Sequence, residues 1–168
     1  MLGVVHDGLR RVNDVIAVLA MAIAMAVVGF AVLAVLAGAV ERHTTGMGYA
    51  WMHDLPPFLM PWCVFPLLGV LLRQDRHIIV EVAPTMLKGG RLRLLRIVVA
   101  AICLAAGIAF CVAGIAAVSF FRMLGEVTET EIEIAFWWLY AAFPVGFGVF
   151  ALCALELLLR ELTRKAAP

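Results

Sequence analysis

The side chains that could perform chemistry in this sequence are few, and they are not grouped as a cofactor or metal site requires. Haem held between helices needs histidines deep within those helices, whereas the four histidines lie outside the long apolar segments or at their ends: His6, His43, His53 and His77. The four cysteines lie singly inside apolar runs, without the paired spacing of zinc or redox motifs: Cys63, Cys103, Cys111 and Cys153. We therefore expect free thiols and no cofactor or metal in this chain.

Carboxylates are equally sparse where catalysis or ion transfer would need them. A relay for protons or ions places ionisable groups well inside a membrane span, but three of the four long apolar segments contain none. The only charge in the fourth segment is Glu156, which lies within one turn of the basic C-terminal tail. Motifs for a serine nucleophile, a phosphate-binding loop or a zinc hydrolase are also missing from the sequence. The sequence therefore predicts neither an enzyme nor an ion pathway within this chain.

The elements that carry these residues belong in lipid. Hydrophobic residues make up 65% of the 168 residues and charged residues only 15%, whereas about a quarter of the residues are charged in soluble domains. A membrane-spanning helix needs about 20 apolar residues, and its backbone groups must be paired within the helix. Four segments satisfy this requirement: 15–40, 55–72, 97–121 and 134–159. We expect an all-α integral membrane protein, a single membrane domain over residues 1–168 with four transmembrane helices.

The distribution of basic residues predicts the orientation of these helices. Eleven of the 13 Lys and Arg residues lie in the N-terminal segment, between the second and third apolar segments, and in the C-terminal tail. Loops rich in Lys and Arg stay in the cytoplasm, so both termini and the middle loop are expected there. The opposite side has only Arg42 and Arg122 as basic residues, together with six carboxylates: Glu41, Asp54, Glu126, Glu129, Glu131 and Glu133.

Two stretches have the pattern of short amphipathic helices that lie along the membrane surface. In the N-terminal segment, apolar residues such as Leu9 and Val12 recur at helical spacing, and charged residues occupy the other face. Segment 76–96 combines apolar and basic residues in a similar way. Such helices bind anionic headgroups through Lys and Arg, although a cytoplasmic protein partner is the alternative. The candidate headgroup ligands are Arg10, Arg11, Arg76, Lys88, Arg91, Arg93 and Arg96.

Prolines and small residues indicate how the helices bend and pack. Interior prolines break backbone hydrogen bonds, so Pro61, Pro66 and Pro144 predict bends. Small residues at every fourth position let helices approach closely in lipid. They could serve packing within this chain or against a partner, and we favour the internal interpretation. The residues concerned are Ala34 with Gly38, Ala142 with Gly146, and the ladder Ala105, Ala109, Ala113 and Ala117, with Gly107 and Gly114 nearby.

The start of the second span is the first site that stands out. Trp51 is typical of a membrane-interface anchor. Asp54 precedes Pro56 and is interpreted as a helix cap, favoured by the positive end of the helix dipole. A polar contact to a partner at the outer face is the alternative. For the acidic segment 126–133, a solvated loop is favoured over a contact to another protein.

The residues that leave the second span resemble those of a known family. The run LLRQDRHIIVEV over residues 71–82 is similar to the DctQ-type small membrane subunit of TRAP transporters, the tripartite ATP-independent periplasmic systems. In that family the second helix ends with a basic residue and a His-Ile-x-Val-Asp-like run. Here His77, Ile78 and Val80 match, Glu81 replaces the usual aspartate, and Asp-Arg replaces a glycine before the histidine.

Two further segments extend the resemblance. Residues 137–147, WWLYAAFPVGF, look like the family's pattern of aromatic residues, a tyrosine and Pro-x-Gly. Residues 51–54 look like a reduced form of its tryptophan and acidic pair, with His53 in place of one carboxylate. Length, helix count and topology agree over nearly the whole chain. The resulting candidates for partner contacts are Trp51, Asp54, Arg73, His77, Glu81, Trp137, Tyr140, Pro144 and Gly146.

The resemblance implies a role as a helper subunit in the bacterial inner membrane. In that family the small subunit braces the static part of a larger, DctM-type membrane subunit, which binds substrate and sodium and moves as an elevator. A periplasmic solute-binding protein delivers an organic acid, and the sodium gradient drives uptake. Two other interpretations stay open at this point: a four-helix membrane anchor or assembly subunit of another inner-membrane complex, and a small transporter that works alone.

Overall fold

The computed structural model describes residues 2–73 and 90–163, with side chains from residue 8 to 73 and from 91 to 163. It contains four long helices, and each includes a stretch that is long and apolar enough to cross a membrane. The described residues contain no strand beyond a single bridge between Val127 and Ala135. The predicted all-α architecture with four spanning helices is therefore confirmed. The helices are α1 (Leu2–Thr45), α2 (Trp51–Arg73), α3 (Gly90–Leu124) and α4 (Phe136–Thr163).

Three of the helices, α1, α2 and α3, extend beyond their predicted spans at both ends, whereas α4 does so only at its C-terminal end. α1 has 44 residues, or about 66 Å at 1.5 Å per residue, against a hydrocarbon core of about 30 Å. The N-terminal segment is thus the beginning of α1 and not a separate helix, because no Gly or Pro interrupts the chain between Leu9 and Val15. Likewise, residues 90–96 of the predicted surface segment are the first turns of α3.

Several of the predicted residues lie outside the part of the chain that the structure describes. This is the case for Arg76, His77, Glu81 and Lys88, and for the rest of segment 74–89. The predictions attached to these residues therefore stay predictions.

Two glycines end helices at the same side of the molecule. Gly46 follows α1 with φ of 73°, and Gly125 follows α3 with φ of 65°. The Gly46 N–H donates to the Arg42 carbonyl at 3.1 Å, and the Gly125 N–H donates to the Phe121 carbonyl at 3.2 Å. Both arrangements are left-handed C-caps, which satisfy a free carbonyl in the last turn. They allow the short connections into α2 and α4.

The helices run alternately up and down and form a row in the order α1, α2, α4, α3. α4 packs on α2 and on α3, α1 packs on α2, and α1 makes a smaller contact with α4. We name the two ends of this row by their charge. The basic end contains the beginnings of α1 and α3 and the ends of α2 and α4. The acidic end contains the opposite termini and the 125–135 loop.

Glycines permit the close approach of α4 to its neighbours. A Cβ at Gly114 of α3 would lie 2.9 Å from Pro144 Cδ, and a Cβ at Gly69 of α2 would lie 2.9 Å from Val149 Cγ1. A Cβ at Gly146 would overlap the Cβ and backbone of Phe65. Because the glycines contribute no side chain at these contacts, the helices can approach closely and gain van der Waals contact in lipid.

Not all predicted small-residue contacts are internal. The pairs Ala34 with Gly38 and Ala142 with Gly146 are buried within the chain, as expected. The alanine ladder differs, because three of its members are exposed on the outer side of α3 and only Ala117 is partly buried. The internal interpretation was therefore wrong for this ladder, whose exposed members are Ala105, Ala109 and Ala113. The adjacent glycines, Gly107 and Gly114, form the internal face of α3.

Candidate functional site

A buried polar network joins three helices at the basic end, and Glu156 of α4 is its centre. The Asn13 amide of α1 donates to Glu156 Oε2 at 2.6 Å. Arg73, the last residue of α2, places Nε 3.0 Å from Glu156 Oε2 and Nη2 2.6 Å from Asp14 Oδ1. Asn13 is 1% exposed and Glu156 is 5% exposed. We call Asn13, Asp14, Arg73 and Glu156 the Glu156 network.

The burial of Glu156 explains the composition of this network. A carboxylate removed from water is costly unless a counter-charge and hydrogen bonds compensate for the lost solvation. Arg73 supplies the charge, and Asn13 supplies a further donor. The Arg73–Asp14 pair contributes less, because the Asp14 side chain is 56% exposed. The guanidinium that was predicted to contact a partner is thus engaged within the chain.

A second set of contacts joins α3 to the end of α4. Arg93 Nε donates to the Glu161 carbonyl at 3.2 Å, and its Nη2 donates to the Leu162 carbonyl at 3.3 Å. Arg96 Nη1 lies 3.5 Å from Glu161 Oε1. The last carbonyls of a helix have no intrahelical partner, and a cation at that end also interacts favourably with the dipole. Two predicted headgroup ligands, Arg93 and Arg96, therefore help to hold α4.

The other predicted headgroup ligands within the described residues are placed differently. Arg10 and Arg11 are exposed near the beginning of α1, and Arg91 is exposed near the beginning of α3. Their contact with headgroups stays a prediction. The exposure of these arginines distinguishes them from Arg93 and Arg96, whose guanidinium groups contact α4.

The 125–135 loop has a defined structure around Thr128, which is 4% exposed. The Thr128 N–H donates to the Ile134 carbonyl at 2.9 Å, and the Ile134 N–H donates to the Thr128 hydroxyl oxygen at 2.9 Å. The Phe136 N–H donates to the Glu126 carbonyl at 3.1 Å. The four glutamates of the loop are exposed at its surface: Glu126, Glu129, Glu131 and Glu133.

This loop packs against the beginning of α2. The Trp51 N–H donates to Glu131 Oε2 at 3.2 Å, so a loop carboxylate accepts a bond from an otherwise unpaired N–H in the first turn of the helix. Asp54 lies inside the first turn of α2, since the helix begins at Trp51. The prediction that Asp54 caps the helix was therefore wrong by several residues. Its carboxylate still benefits from the positive end of the dipole.

The residues of the WWLYAAFPVGF segment divide into an outer and an inner group. Trp137 is 37% exposed under the Arg122 guanidinium, whose central carbon lies 5.9 Å from the ring centroid. Tyr140 is 39% exposed and stacks on Phe121 with ring centroids 4.1 Å apart. Pro144 and Gly146 instead pack on α3 and α2. Of the four, only the two aromatic residues present substantial surface for a partner.

The Glu156 network is the feature that sequence reasoning missed. Asn13 was not singled out, although an acidic residue in an apolar segment signals a buried partner. The Glu156 carboxylate oxygens are occupied by Asn13 and Arg73. Among the described residues, no three His, Cys, Asp or Glu side chains lie close enough to hold a metal ion. The contacts of the Glu156 network join α1, α2 and α4.

One comparison with known proteins identifies the family of this chain. The family model described as the DctQ component of tripartite ATP-independent periplasmic transporters matches residues 31–164. No curated protein and no solved structure matches the chain. The match includes the second part of α1 and all of α2, α3 and α4. This multi-pass inner-membrane chain therefore belongs to the DctQ family, a family of transporter components and not of enzymes, and is a small permease subunit of a TRAP transporter.

Proposed function

We propose that this chain braces a large, elevator-type TRAP permease subunit while that subunit takes up an organic acid. In this proposal the sodium gradient drives transport, and a periplasmic solute-binding protein delivers the solute. The chain itself contributes no cofactor, substrate site or ion site. Family membership supports the general transport role, and the position of charges in the described helices supports the division of labour.

The single observation that carries the proposal is the placement of buried charge. Among the described residues, the buried carboxylates are Glu156 and Glu161, both at the basic end and both next to arginines. A path for sodium or an organic anion would need polar or ionisable groups along the depth of the membrane. Such groups are missing from the central parts of the described helices. The transported species must then pass through another polypeptide.

The outer edges of the helix row offer the surface that a bracing subunit needs. Along α1, apolar side chains such as Met25 and Leu33 are 70% and 68% exposed. Along α3, Ile102 and Val112 are each 62% exposed. Lipid and the large subunit would share these edges. In lipid the hydrophobic effect does not drive helices together, so their association depends on close packing, which small residues allow. The exposed alanines of α3 provide such a surface.

In the proposed orientation both termini are in the cytoplasm and the acidic end faces the periplasm. The imbalance of Lys and Arg supports this orientation. Asp54 and the glutamates of the 125–135 loop are then candidates for contact with the solute-binding protein. Trp51 and Trp137 are near the same end, where aromatic residues are typical of the membrane interface.

Reconstitution tests the proposal directly. A DctM-type large subunit is co-expressed with and without this chain, purified, and placed in proteoliposomes with the binding protein. We expect co-purification of the two membrane subunits, and organic-acid uptake that requires both subunits and an inward sodium gradient. Solute accumulation by this chain alone would contradict the proposal. Co-purification with an oxidoreductase in place of the permease would support the membrane-anchor alternative.

A further inference from the structure

Prolines deprive several backbone carbonyls of α2 of their usual hydrogen-bond donor. In an α-helix each carbonyl accepts a bond from the N–H four residues later, and proline has no N–H. The helices at the edges of the row, α1 and α3, contain no proline. The four prolines of α2 remove the donors to the carbonyls of Met52, His53, Pro57 and Trp62.

The Pro57 carbonyl belongs to the exposed face of α2. Residues three, four and seven positions apart lie on the same side of a helix. A helix carbonyl points along the axis toward the residue four positions later, so the Pro57 carbonyl lies between exposed Pro57 and half-buried Pro61. The exposed face consists of His53, Pro57, Met60, Val64 and Leu71.

The depth of this carbonyl places it where lipid offers no donor. α2 has 23 residues, or about 35 Å at 1.5 Å per residue, against a hydrocarbon core of about 30 Å. Pro57 follows Trp51, the first residue of α2, by six positions, or about 9 Å. The His53 carbonyl is one turn nearer the membrane surface, where water and headgroups can donate. The Pro57 carbonyl lies within the hydrocarbon, where a polar backbone group must be paired with protein.

The neighbouring side chains of α2 do not replace the missing donor. Residues 55–66 contain no hydroxyl group, and their only side-chain N–H is the Trp62 indole. Trp62 Nε1 is buried and has no hydrogen-bond partner. The Cys63 thiol is directed at the Ala24 carbonyl of α1, 4.0 Å away. Prolines are tolerated in spanning helices where neighbouring helices supply the missing donors, and here the carbonyl lies on the exposed side of α2.

We infer that a transmembrane helix of the large subunit packs on this exposed face and donates a hydrogen bond to the Pro57 carbonyl. A serine, threonine, asparagine, glutamine or tryptophan side chain on that helix provides the required donor. Met60 and Val64 form the apolar contact below it. This inference rests on the proposed bracing role and specifies one face of the chain that performs it.

Site-specific photo-cross-linking in the full chain, co-expressed with a DctM-type large subunit, tests the face. The photoreactive residue p-benzoylphenylalanine replaces Met60 or, for comparison, Leu33 of α1 or Ile102 of α3, which are both more exposed than Met60. We expect the highest yield of cross-linked large subunit from position 60. Co-purification without a cross-link from position 60, or with equal yields from all three positions, would overturn the inference and leave the bracing role intact. Failure of the two subunits to co-purify would overturn both.

A pair of proline substitutions tests the hydrogen bond itself. Pro61→Ala gives the Pro57 carbonyl an N–H within α2, so the affinity for the large subunit in detergent micelles is expected to fall about threefold, the size of an average hydrogen bond between membrane helices. Pro66→Ala is the matched control, because it also removes one interior proline and its bend, but Pro66 is buried. An unchanged affinity in Pro61→Ala would contradict the inference. Equal losses in both variants would also contradict it, because the bend and not the carbonyl would then be responsible.

Discussion

The two ends of the helix row are connected in different ways. At the basic end, buried carboxylates and arginines join helices that are distant in sequence, as in the contact of Asn13 with Glu156 across 143 positions. At the acidic end, left-handed glycines, backbone hydrogen bonds and the Thr128 hydroxyl order short connections. This difference indicates that buried ion pairs hold neighbouring helices together at the end of the row where no short loop connects them.

The largest effect is expected from breaking the network at the basic end. Arg73→Leu leaves the Glu156 carboxylate buried without its cation and should lower the free energy of unfolding by about 3–5 kcal/mol. The measurement is reversible unfolding in mixed detergent micelles, followed by circular dichroism. The double variant Arg73→Leu/Glu156→Leu should recover much of the loss, because neither charge of this pair then remains buried. An equally unstable double variant would show that Arg73 acts through other contacts.

At the acidic end the largest effect is expected at Thr128. Thr128→Val keeps the shape of the side chain but removes the acceptor of the Ile134 N–H, so we expect a loss of about 1–3 kcal/mol. The same unfolding assay measures it. Thr44→Val is the control, because the exposed Thr44 hydroxyl donates only to carbonyls of its own helix. Similar losses in both variants would contradict the role given to Thr128.

The glycine C-caps predict a smaller change. Gly125 has φ of 65°, a conformation that costs a residue with a Cβ about 1–2 kcal/mol. Gly125→Ala should therefore destabilise the chain by about that amount in a thermal-denaturation assay. A Cβ at Gly29 of α1 would meet no packed neighbour within 4 Å, and Gly29→Ala should stabilise the helix by about 0.5–1 kcal/mol. The first substitution is expected to lower the stability because of backbone strain, and the second is expected to raise it because alanine has the higher helix propensity.

The smallest effect is expected at the outer edge of the Glu156 network. Asp14→Asn weakens a pair whose carboxylate side chain is 56% exposed, so the expected loss is below about 1 kcal/mol. It should shrink further at high salt, because exposed charges are screened. A loss as large as that of Arg73→Leu would mean that Asp14, and not Glu156, is the principal partner of Arg73.

Much of the fold follows from local sequence. The four apolar segments predicted the four helices, because a run of about 20 apolar residues has few alternatives to a spanning helix. Helix ends were less predictable. α2 begins at Trp51, ahead of Pro56 and Pro57, and α3 begins at Gly90, so both helices start outside the apolar segments from which they were predicted. Asp54 therefore lies inside the first turn of α2 and not at its cap.

The contacts of individual residues were harder to predict from the sequence. Gly146 and Ala109 are both small residues in four-residue patterns, but Gly146 is buried against Phe65 and Ala109 is exposed. Arg93 and Arg10 are both basic residues near a span, but Arg93 binds the carbonyls of α4 and Arg10 is exposed. Residue type alone does not distinguish these pairs, because the difference depends on which helix lies beside each one.

The sequence by itself determined the membrane class, the number of helices, the imbalance of charge and the family resemblance, because these depend on composition and order along the chain. The tertiary structure decided which polar groups meet and which small residues are internal. A helix that is apolar on all sides carries no stripe that marks its inner face. Its rotation is fixed only when neighbouring helices pack, as when Arg73 and Asn13 surround Glu156.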